Sequence, residues 1–265
     1  MGVARHESTV REPPAATPLD RERERFAREL AQRLDRGEHL LLWGPRGSGK
    51  TAILRAVHRH VATARCAYSE QTDALDDVTR TLEQAYAGVV TRGLTRRAVR
   101  ARLWRAADAD PGVLLLDHVT AVHSGMKGFL RRLRGGVVGV ILAVDVDSPR
   151  ERERLRAMRV GCATVRMPPV APRSLARQLA ALLVPITPRQ LTHDARRTLI
   201  RAARGRPGWI VQCAARVRED RYWRNGCLQA SLVAWDTEVL IRGVFATGPE
   251  GGGTGRVRTR HRRVS

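Results

Sequence analysis

Lysine is almost absent from this chain of 265 residues: only Lys50 and Lys127 occur, although lysine and arginine together number 48. Nearly all of the positive charge is therefore arginine, and the formal net charge at pH 7 is +22. An arginine bias often comes from a GC-rich genome, but that bias alone need not leave acidic residues so far in the minority. The charge favours binding to an acidic polymer such as DNA, with genome composition as the alternative explanation.

The sequence also lacks long apolar runs and clustered cysteines. Its best candidate for a membrane span, residues 137–146, is much shorter than the ~20 residues that a span needs, and it contains Gly139 and Asp145. The N-terminal residues are polar and show no apolar core of a signal peptide. The four cysteines are scattered without a C-x-x-C pair, which argues against a zinc site and a disulfide framework. These absences predict a cytoplasmic protein with no membrane partner.

The most informative stretch is residues 44–51, which fit the P-loop pattern G-x-x-x-x-G-K-[ST] at every fixed position. An apolar run, residues 39–43, precedes it, and a helix-like segment, residues 51–61, follows it. The glycines allow the backbone to turn its N–H groups toward phosphate oxygens, and the helix start adds its dipole. The stretch predicts a nucleotide cradle of eight residues: Gly44, Pro45, Arg46, Gly47, Ser48, Gly49, Lys50 and Thr51.

Three side chains are candidates for the chemistry of this cradle. Lys50 is predicted to reach the β- and γ-phosphates of ATP, and Thr51 to place its hydroxyl on Mg²⁺. Asp117 follows the apolar residues 113–116, as at the end of a buried parallel strand. Its carboxylate is predicted to hold the Mg²⁺ shell, largely through water. The alternative is that Asp117 only caps the segment after the strand.

Apolar runs and helical periodicity predict an α/β fold with a doubly wound, five-stranded parallel sheet and a small all-α domain after it. The strands are predicted near residues 39–43, 64–68, 113–117, 137–144 and 162–167. We expect a disordered tail over 1–19, the nucleotide-binding domain over 20–169, the helical domain over 170–243 and a disordered arginine-rich tail over 244–265. Asp20 and Ser174 are predicted helix caps, and residues 226–241 a last helix.

With these motifs in place, the chain resembles the AAA+ ATPases over residues 21–243. Residues 44–51 are similar to the Walker A motif of that family, and residues 113–118 to its Walker B motif. Asp145 and Asp147 fall where the family carries sensor 1, beside the nucleotide, and the C-terminal helices correspond to its lid. A helix leading directly into the P-loop strand resembles the branch of initiator and transposition-regulator ATPases. That resemblance implies ATP with Mg²⁺ as cofactors, a homo-oligomer on DNA, and a protein partner such as a transposase or a replication factor.

The chain departs from the family pattern after the Walker B aspartate. The family usually has a glutamate there that polarises the attacking water, whereas this chain has His118. Histidine titrates near pH ~6.5, so a neutral imidazole can act as the base. We expect slow hydrolysis, with Glu70 as a substitute base. The alternative is that His118 is a surface residue of a loop.

Two arginine roles also follow from the resemblance. The sensor 2 turn of the family corresponds to residues 205–209, where Arg206 is predicted to reach the γ-phosphate. Alternatively, Arg206 is a solvated residue beside a glycine that ends a helix. An arginine finger, which completes a neighbouring subunit's site, is expected before the last strand. Arg159 is the first candidate, with Arg154 and Arg156 as alternatives.

The sequence therefore predicts an ATPase whose ATP-bound form assembles on DNA and regulates a partner. Basic helices near residues 96–100 and 127–134 are candidate contacts to DNA phosphates. One alternative is a nucleotide-switch signalling ATPase that controls protein–protein assembly without DNA. Another is a P-loop kinase acting on a small molecule, which requires an acceptor site near the phosphates.

Overall fold

A computed structural model describes residues 19–63, 65–70, 72, 75–86, 88–119, 128, 131–132, 139–147, 151, 153, 161–183 and 191–242. The two predicted tails lie outside the described residues except for Leu19. The candidate finger residues Arg154, Arg156 and Arg159 lie outside them too, as does most of the basic segment 127–134 that was expected to be helical.

Within the described part of the chain, five parallel strands form one sheet in the order β2-β3-β4-β1-β5. The strands are β1 His39–Gly44, β2 Cys66–Ser69, β3 Val113–Leu116, β4 Gly139–Asp145 and β5 Ala163–Arg166. The predicted five-stranded parallel sheet is thereby confirmed, with ends that differ by one or two residues. Because β4 lies beside β1 with Asp145 opposite Gly44, the carboxyl end of β4 meets the start of the P-loop.

Helices cover both faces of this sheet. They are α1 Arg21–Asp35, α2 Lys50–His60, α3 Leu75–Ala85 and α4 Arg96–Ala109. Helices α1 and α2 bury one apolar cluster with the sheet, while α3 and α4 bury a second cluster. The Asp20 carboxylate caps α1 by accepting the N–H of Arg23 at 3.0 Å, as predicted. Gly37, at φ 77°, supplies the left-handed turn that leads from α1 into β1.

Four further helices, α5 Pro172–Leu183, α6 His193–Ala203, α7 Pro207–Val217 and α8 Ala230–Arg242, bury a third apolar cluster after the sheet. Helix α5 begins at Pro172, two residues before the cap predicted at Ser174, because proline suits the first turn of a helix. The predicted cap at Ser174 is therefore wrong.

The last predicted helix also begins later than expected, because a β-hairpin precedes it. Strands β6 Trp223–Arg224 and β7 Cys227–Leu228 pair antiparallel across two residues, Asn225 and Gly226. Both residues have positive φ, 49° and 76°. Asn-Gly favours this hairpin turn because both residues tolerate the left-handed region. The start at residue 226 was thus wrong by four residues.

All four cysteines are free thiols. No helix in the described ranges combines the length and the apolar character needed to cross a membrane.

Candidate functional site

A cavity of ≈ 1170 Å³ lies over the P-loop. Its walls come from the start of α1, the P-loop, the carboxyl ends of β3 and β4, and helices α5, α7 and α8 of the C-terminal helical region. Small-molecule sites usually enclose ~300–1,000 Å³, so this cavity has room for a nucleotide. The sheet and the C-terminal helices therefore share one concave site.

The P-loop turns because three of its residues must be glycine. Gly47 and Gly49 have φ of 74° and 87°, in the left-handed region that side chains disfavour. Gly44 packs so closely that a Cβ atom there would lie 2.8 Å from Cβ of Met167. Helix α2 begins at Lys50, immediately after Gly49. The local sequence thus produces a loop that ends at a helix N-terminus on the cavity wall, as an anion site requires.

Lys50 is buried at this wall, with 6% of its side chain exposed. Its Nζ donates to the carbonyl oxygens of Gly44 at 2.9 Å and Pro45 at 3.1 Å. It also pairs with Oδ1 of Asp145 at 2.5 Å. Thr51 follows on the same wall. The structure therefore brings together three of the predicted site residues, Lys50, Thr51 and Asp145.

Asp147 holds the front of the P-loop. Its Oδ1 accepts the backbone N–H of Arg46 at 3.0 Å, and its Oδ2 lies 3.5 Å from Nε of Arg46. Burial raises the pKa of Asp147, as do the charges of Asp145 and Glu151, while the hydrogen bond from the Arg46 N–H opposes the shift. The predicted sensor 1 position thus fixes the loop through Asp147 and reaches the lysine through Asp145.

Asp117 is fully buried and does not line the cavity. Its Oδ2 accepts the hydroxyl of Tyr68 at 3.1 Å, and its Oδ1 accepts the N–H of His118 at 2.9 Å. Burial, followed by the charge of Asp117, raises the pKa of Tyr68 above its usual value of 10. Tyr68 from β2 therefore covers the predicted Mg²⁺-side acid at the end of β3.

His118 does line the cavity, and 58% of its side chain is exposed. Its φ of 50° is unusual for a residue other than glycine, and its Nε2 lies 3.7 Å from Oδ2 of Asp117. Glu70, the predicted substitute base, pairs instead with Arg55 at 2.8 Å and is not on the cavity wall. Of the two candidate bases, only His118 faces the cavity.

Arg206 is buried away from the cavity, at the N-cap of α7. Its guanidinium pairs with the carboxylate of Glu238, and its Nε donates to the carbonyl of Ala203 at 3.1 Å. Nε1 of Trp209 donates to the same carboxylate at 3.2 Å. The structure thus places Arg206 neither on the cavity wall nor in solvent, because Glu238, 32 residues later in the chain, pairs with its guanidinium.

The turn after α6 rests directly on the P-loop. The N–H of Gly208 donates to the carbonyl oxygen of Gly47 at 2.9 Å. A Cβ atom on Gly208 would lie 3.0 Å from Cα of Gly47, and one on Gly47 would lie 3.2 Å from the backbone nitrogen of Trp209. Facing glycines therefore allow the C-terminal helical region to bond to the P-loop backbone.

The sequence prediction missed several cavity residues, of which Arg23 is the most informative. Four apolar residues form the buried stripe of α1: Ala27, Leu30, Ala31 and Leu34. Arg23 is in phase with that stripe, one helical turn before Ala27. A charged residue in phase with an apolar stripe is a signal that the sequence alone contains. Three more polar side chains on the wall, Arg55, Arg177 and Gln178, carried no such signal.

Similar folds occur among solved structures at low sequence identity. Domain III of the Thermotoga maritima replication initiation protein DnaA is 15% identical, with a TM-score of 0.46, and the alignment covers 83% of this chain and 99% of that one. The FIGL-1 AAA domain in complex with ADP is 16% identical, with a TM-score of 0.46 and coverage of 84% and 82%. C. elegans PCH-2 is 12% identical, with a TM-score of 0.45 and coverage of 85% and 69%.

No curated protein matches the chain at a significant level. The sequence model of the AAA ATPase domain, in contrast, matches residues 19–212. This range includes the start of α1, the P-loop, all five strands of the parallel sheet and the beginning of α7. The match spans well over half of the chain, so the protein belongs to the AAA ATPase domain family.

Proposed function

We propose that this protein binds ATP with Mg²⁺ in the cavity over the P-loop, hydrolyses it slowly, and assembles on DNA in a nucleotide-dependent way to regulate a partner protein. The observation that carries the nucleotide part is the position of Lys50. Its amine is buried on the wall of a nucleotide-sized cavity, at the start of a helix and beside two left-handed glycines. This arrangement is suited to an anion with several phosphate oxygens.

The remaining cavity surfaces fit the rest of a nucleotide. Leu19, Val170 and Pro207 offer apolar surface, and Gln178 and Gln212 add amide groups. An apolar cleft with a few polar groups is the usual form of a small-molecule site. We assign the phosphates to residues 44–51 and the base to the cleft between the start of α1 and helices α5 and α7.

The oxygen donors near the P-loop suit Mg²⁺, a hard cation. Thr51 lines the wall, Asp145 is the last residue of β4, and Asp117 follows β3, the neighbour of β4 in the sheet. When bound, Mg²⁺ would neutralise negative charge on the phosphates. Thr51 would hold the ion directly and Asp117 through water, which requires the Tyr68 hydroxyl to give way or to share the carboxylate.

Slow hydrolysis follows from the residue that occupies the base position. His118 is largely exposed and sits beside the Asp117 carboxylate. Its neutral imidazole can orient a water and accept its proton. An exposed side chain is held less firmly than a packed one, so we expect poor positioning and long-lived bound ATP.

The proposal of DNA as a partner is supported by exposed arginines on two helices. They are Arg96, Arg97, Arg102 and Arg105 on α4, and Arg196, Arg197 and Arg201 on α6, with Arg204 at the C-cap of α6. Together with the net charge of +22, these arginines can bind the phosphates of DNA whatever its base sequence. Within an oligomer, Arg159 remains our candidate for the finger that completes a neighbour's site.

The test is ATP hydrolysis by the full chain with and without duplex DNA at two salt concentrations, with Lys50→Ala as control. DNA stimulation that weakens with salt would support the proposal, because counterions compete with phosphate contacts. Turnover indifferent to DNA would favour the switch that acts without DNA. A phosphotransfer assay with small-molecule acceptors tests the kinase alternative, which transfer of phosphate to an acceptor would support.

A further inference from the structure

Arg23 lies where three elements of the site meet. It stands in the first turn of α1, and its Nη2 donates to the carbonyl oxygen of Ser48 in the P-loop. A Cβ atom built on Gly49 would lie 2.6 Å from Nη1 of Arg23 and 3.3 Å from Cγ of Pro207. The guanidinium is therefore packed between the P-loop corner and the start of α7, on the cavity wall.

The guanidinium of Arg23 forms no ion pair with a carboxylate of the described residues. Only 5% of the residue is exposed, and its buried Nε has no hydrogen-bond partner among the described residues. The nearby Asp20 carboxylate accepts the backbone N–H of Arg23, as the cap of α1. Burial lowers the pKa of Arg23 although the charge of Asp20 opposes that shift. A buried cation that lacks a paired anion destabilises the folded chain.

The other two cations that are buried in the described ranges are paired. Lys50 has Asp145 at 2.5 Å, and Arg206 has Glu238. Arg23 forms no ion pair within 4.0 Å with any described carboxylate. Two of three buried cations thus carry a protein counter-ion, and the third faces the cavity in which a polyanion would lie.

We propose that Arg23 binds the phosphate chain of the nucleotide and that the phosphate supplies its missing counter-charge. The proposal rests on the proposed function, because it assigns a ligand of that same site. Arg23 borders Gly49 from the side of α1, whereas Lys50 lies on the side of Asp145. Arg23 therefore contacts the α- and β-phosphates, which ADP and ATP share, and Lys50 the terminal ones.

The proposal predicts that replacing Arg23 weakens nucleotide binding without lowering the stability of the ligand-free protein. Removing an uncompensated buried charge should leave the nucleotide-free protein as stable as before or more stable. The same change should weaken nucleotide binding, because one charge-assisted hydrogen bond to phosphate is lost. If the arginine served mainly to clamp the Ser48 carbonyl, the nucleotide-free protein would lose stability and affinity would change little.

The experiment uses the full chain with Arg23→Met, Arg23→Lys and Arg28→Met, the last removing an exposed arginine of the same helix as a matched control. The Tm without ligand is measured for each variant, and calorimetry gives the Kd for ADP, ATP and adenosine. For Arg23→Met we expect an unchanged or higher Tm and affinities for ADP and ATP that are about 10- to 100-fold weaker. Adenosine affinity should stay within about threefold, because adenosine has no phosphate. Arg23→Lys, which keeps the charge, should lose less affinity, and Arg28→Met should match the wild type.

Three outcomes would overturn the proposal. One is an Arg23→Met variant that binds ADP and ATP within about threefold of the wild type. Another is a fall in adenosine affinity equal to that for ADP, which would place Arg23 at the base. The third is a pair of results. Arg23→Met has a lower ligand-free Tm or does not fold, and Arg23→Lys binds ADP and ATP with wild-type affinity. A wild-type chain that binds neither ADP nor ATP would instead refute the proposed function.

Discussion

Two turns of this protein each contain glycine, proline and a buried cation, but the counter-ions of the two cations lie in different places. Residues 44–51 and 204–209 each contain left-handed glycine, lead into a helix, and hold a buried cation, Lys50 or Arg206. The counter-ion of Lys50 is Asp145, which lines the cavity. The counter-ion of Arg206 is Glu238 on α8, away from the cavity. The position of the counter-ion, more than the motif around the cation, decides whether a ligand can reach it.

This difference predicts that substitutions in the two turns impair different properties of the protein. A cation whose partner lies on a cavity wall can exchange that partner for a phosphate oxygen. A cation that shares its carboxylate with Trp209 and Arg242 is part of the packed interior. Changes at Lys50 should therefore reduce binding, and changes at Arg206 should reduce stability.

The largest expected effect is that of Lys50→Ala on ATP affinity. Lys50 can offer charged hydrogen bonds to two phosphates, so its loss should weaken ATP binding about 100-fold or more. The Tm should fall by only a few degrees, because Asp145 lines the open cavity and keeps Arg46, whose Nε lies 3.8 Å from its Oδ2. Calorimetry with ATP measures the affinity, and Arg59→Ala, on an exposed position of α2, is the control. Wild-type affinity in Lys50→Ala would refute the assignment of the P-loop.

Arg206→Met should show the opposite pattern. It leaves the partly buried Glu238 carboxylate without its main partner, which should destabilise the protein by about 2–3 kcal/mol. That loss corresponds to a fall in Tm of about 4–12 °C, measurable by calorimetric melting. ATP affinity should remain within about threefold.

The double variant Arg206→Met with Glu238→Leu is the control for that prediction. It should recover much of the lost stability, because no unpaired buried charge remains and Arg242, which also loses Glu238, is exposed to solvent. An ATP affinity reduced tenfold or more in Arg206→Met would return Arg206 to the nucleotide, as the family resemblance implies.

Gly208→Ala probes the contact between the two turns. The added Cβ would lie 3.0 Å from Cα of Gly47, so one of the two turns must shift, at about 1 kcal/mol. We expect ATP affinity to fall about 3- to 10-fold, since the P-loop moves with its neighbour. Gly88→Ala is the matched control, because a Cβ atom there meets nothing within 4 Å. Equal Kd values for the two variants would show that the turns are not coupled.

The smallest expected effect is on the pH dependence of stability. The Arg206 guanidinium, with that of Arg242, holds the pKa of Glu238 below its usual 4.5 despite partial burial. Glu238 therefore adds stability above pH 4.5 that is lost as the pH falls further. Asp147 has a pKa raised above 3.8, mainly by burial. Its contribution has the opposite sign, since it is present at low pH and lost as the pH rises.

Urea denaturation from about pH 3 to 6 checks both signs. Glu238→Gln should make stability rise less steeply with pH than in the wild type, and Asp147→Asn should make it rise more steeply. Two variants that shift the slope in the same direction would contradict the assigned pKa directions.

Local features of the sequence predicted most of the fold and the floor of the site. Strands β1, β3 and β4 are continuous apolar runs because both of their faces are covered. The P-loop is a contiguous stretch of eight residues, so its glycines and its lysine could be assigned without knowledge of distant contacts. The Asn225-Gly226 pair is also a local sequence signal for a hairpin turn. It was overlooked because the apolar periodicity of the helix after it was extended back to residue 226.

The remainder depended on contacts between residues far apart in the chain. The cover over Asp117 requires β2 to lie beside β3, which brings Tyr68 to a carboxylate 49 residues away. The pairing of Arg206 with Glu238 joins α7 to α8. Neither contact follows from spacing along the chain. Arg23 is an intermediate case, because its phase in α1 indicates burial but gives no sign of the P-loop beside it.

Because the Gly208 N–H donates to the Gly47 carbonyl, its hydrogen exchange can report on opening of the site. That N–H can exchange with solvent deuterium only when the turn leaves the P-loop, so its exchange rate reports how often the site opens. A ligand that bridges both turns should slow exchange at Gly208 more than at amides of the sheet core, which open only on global unfolding. One backbone proton therefore gives a direct measure of site opening in solution.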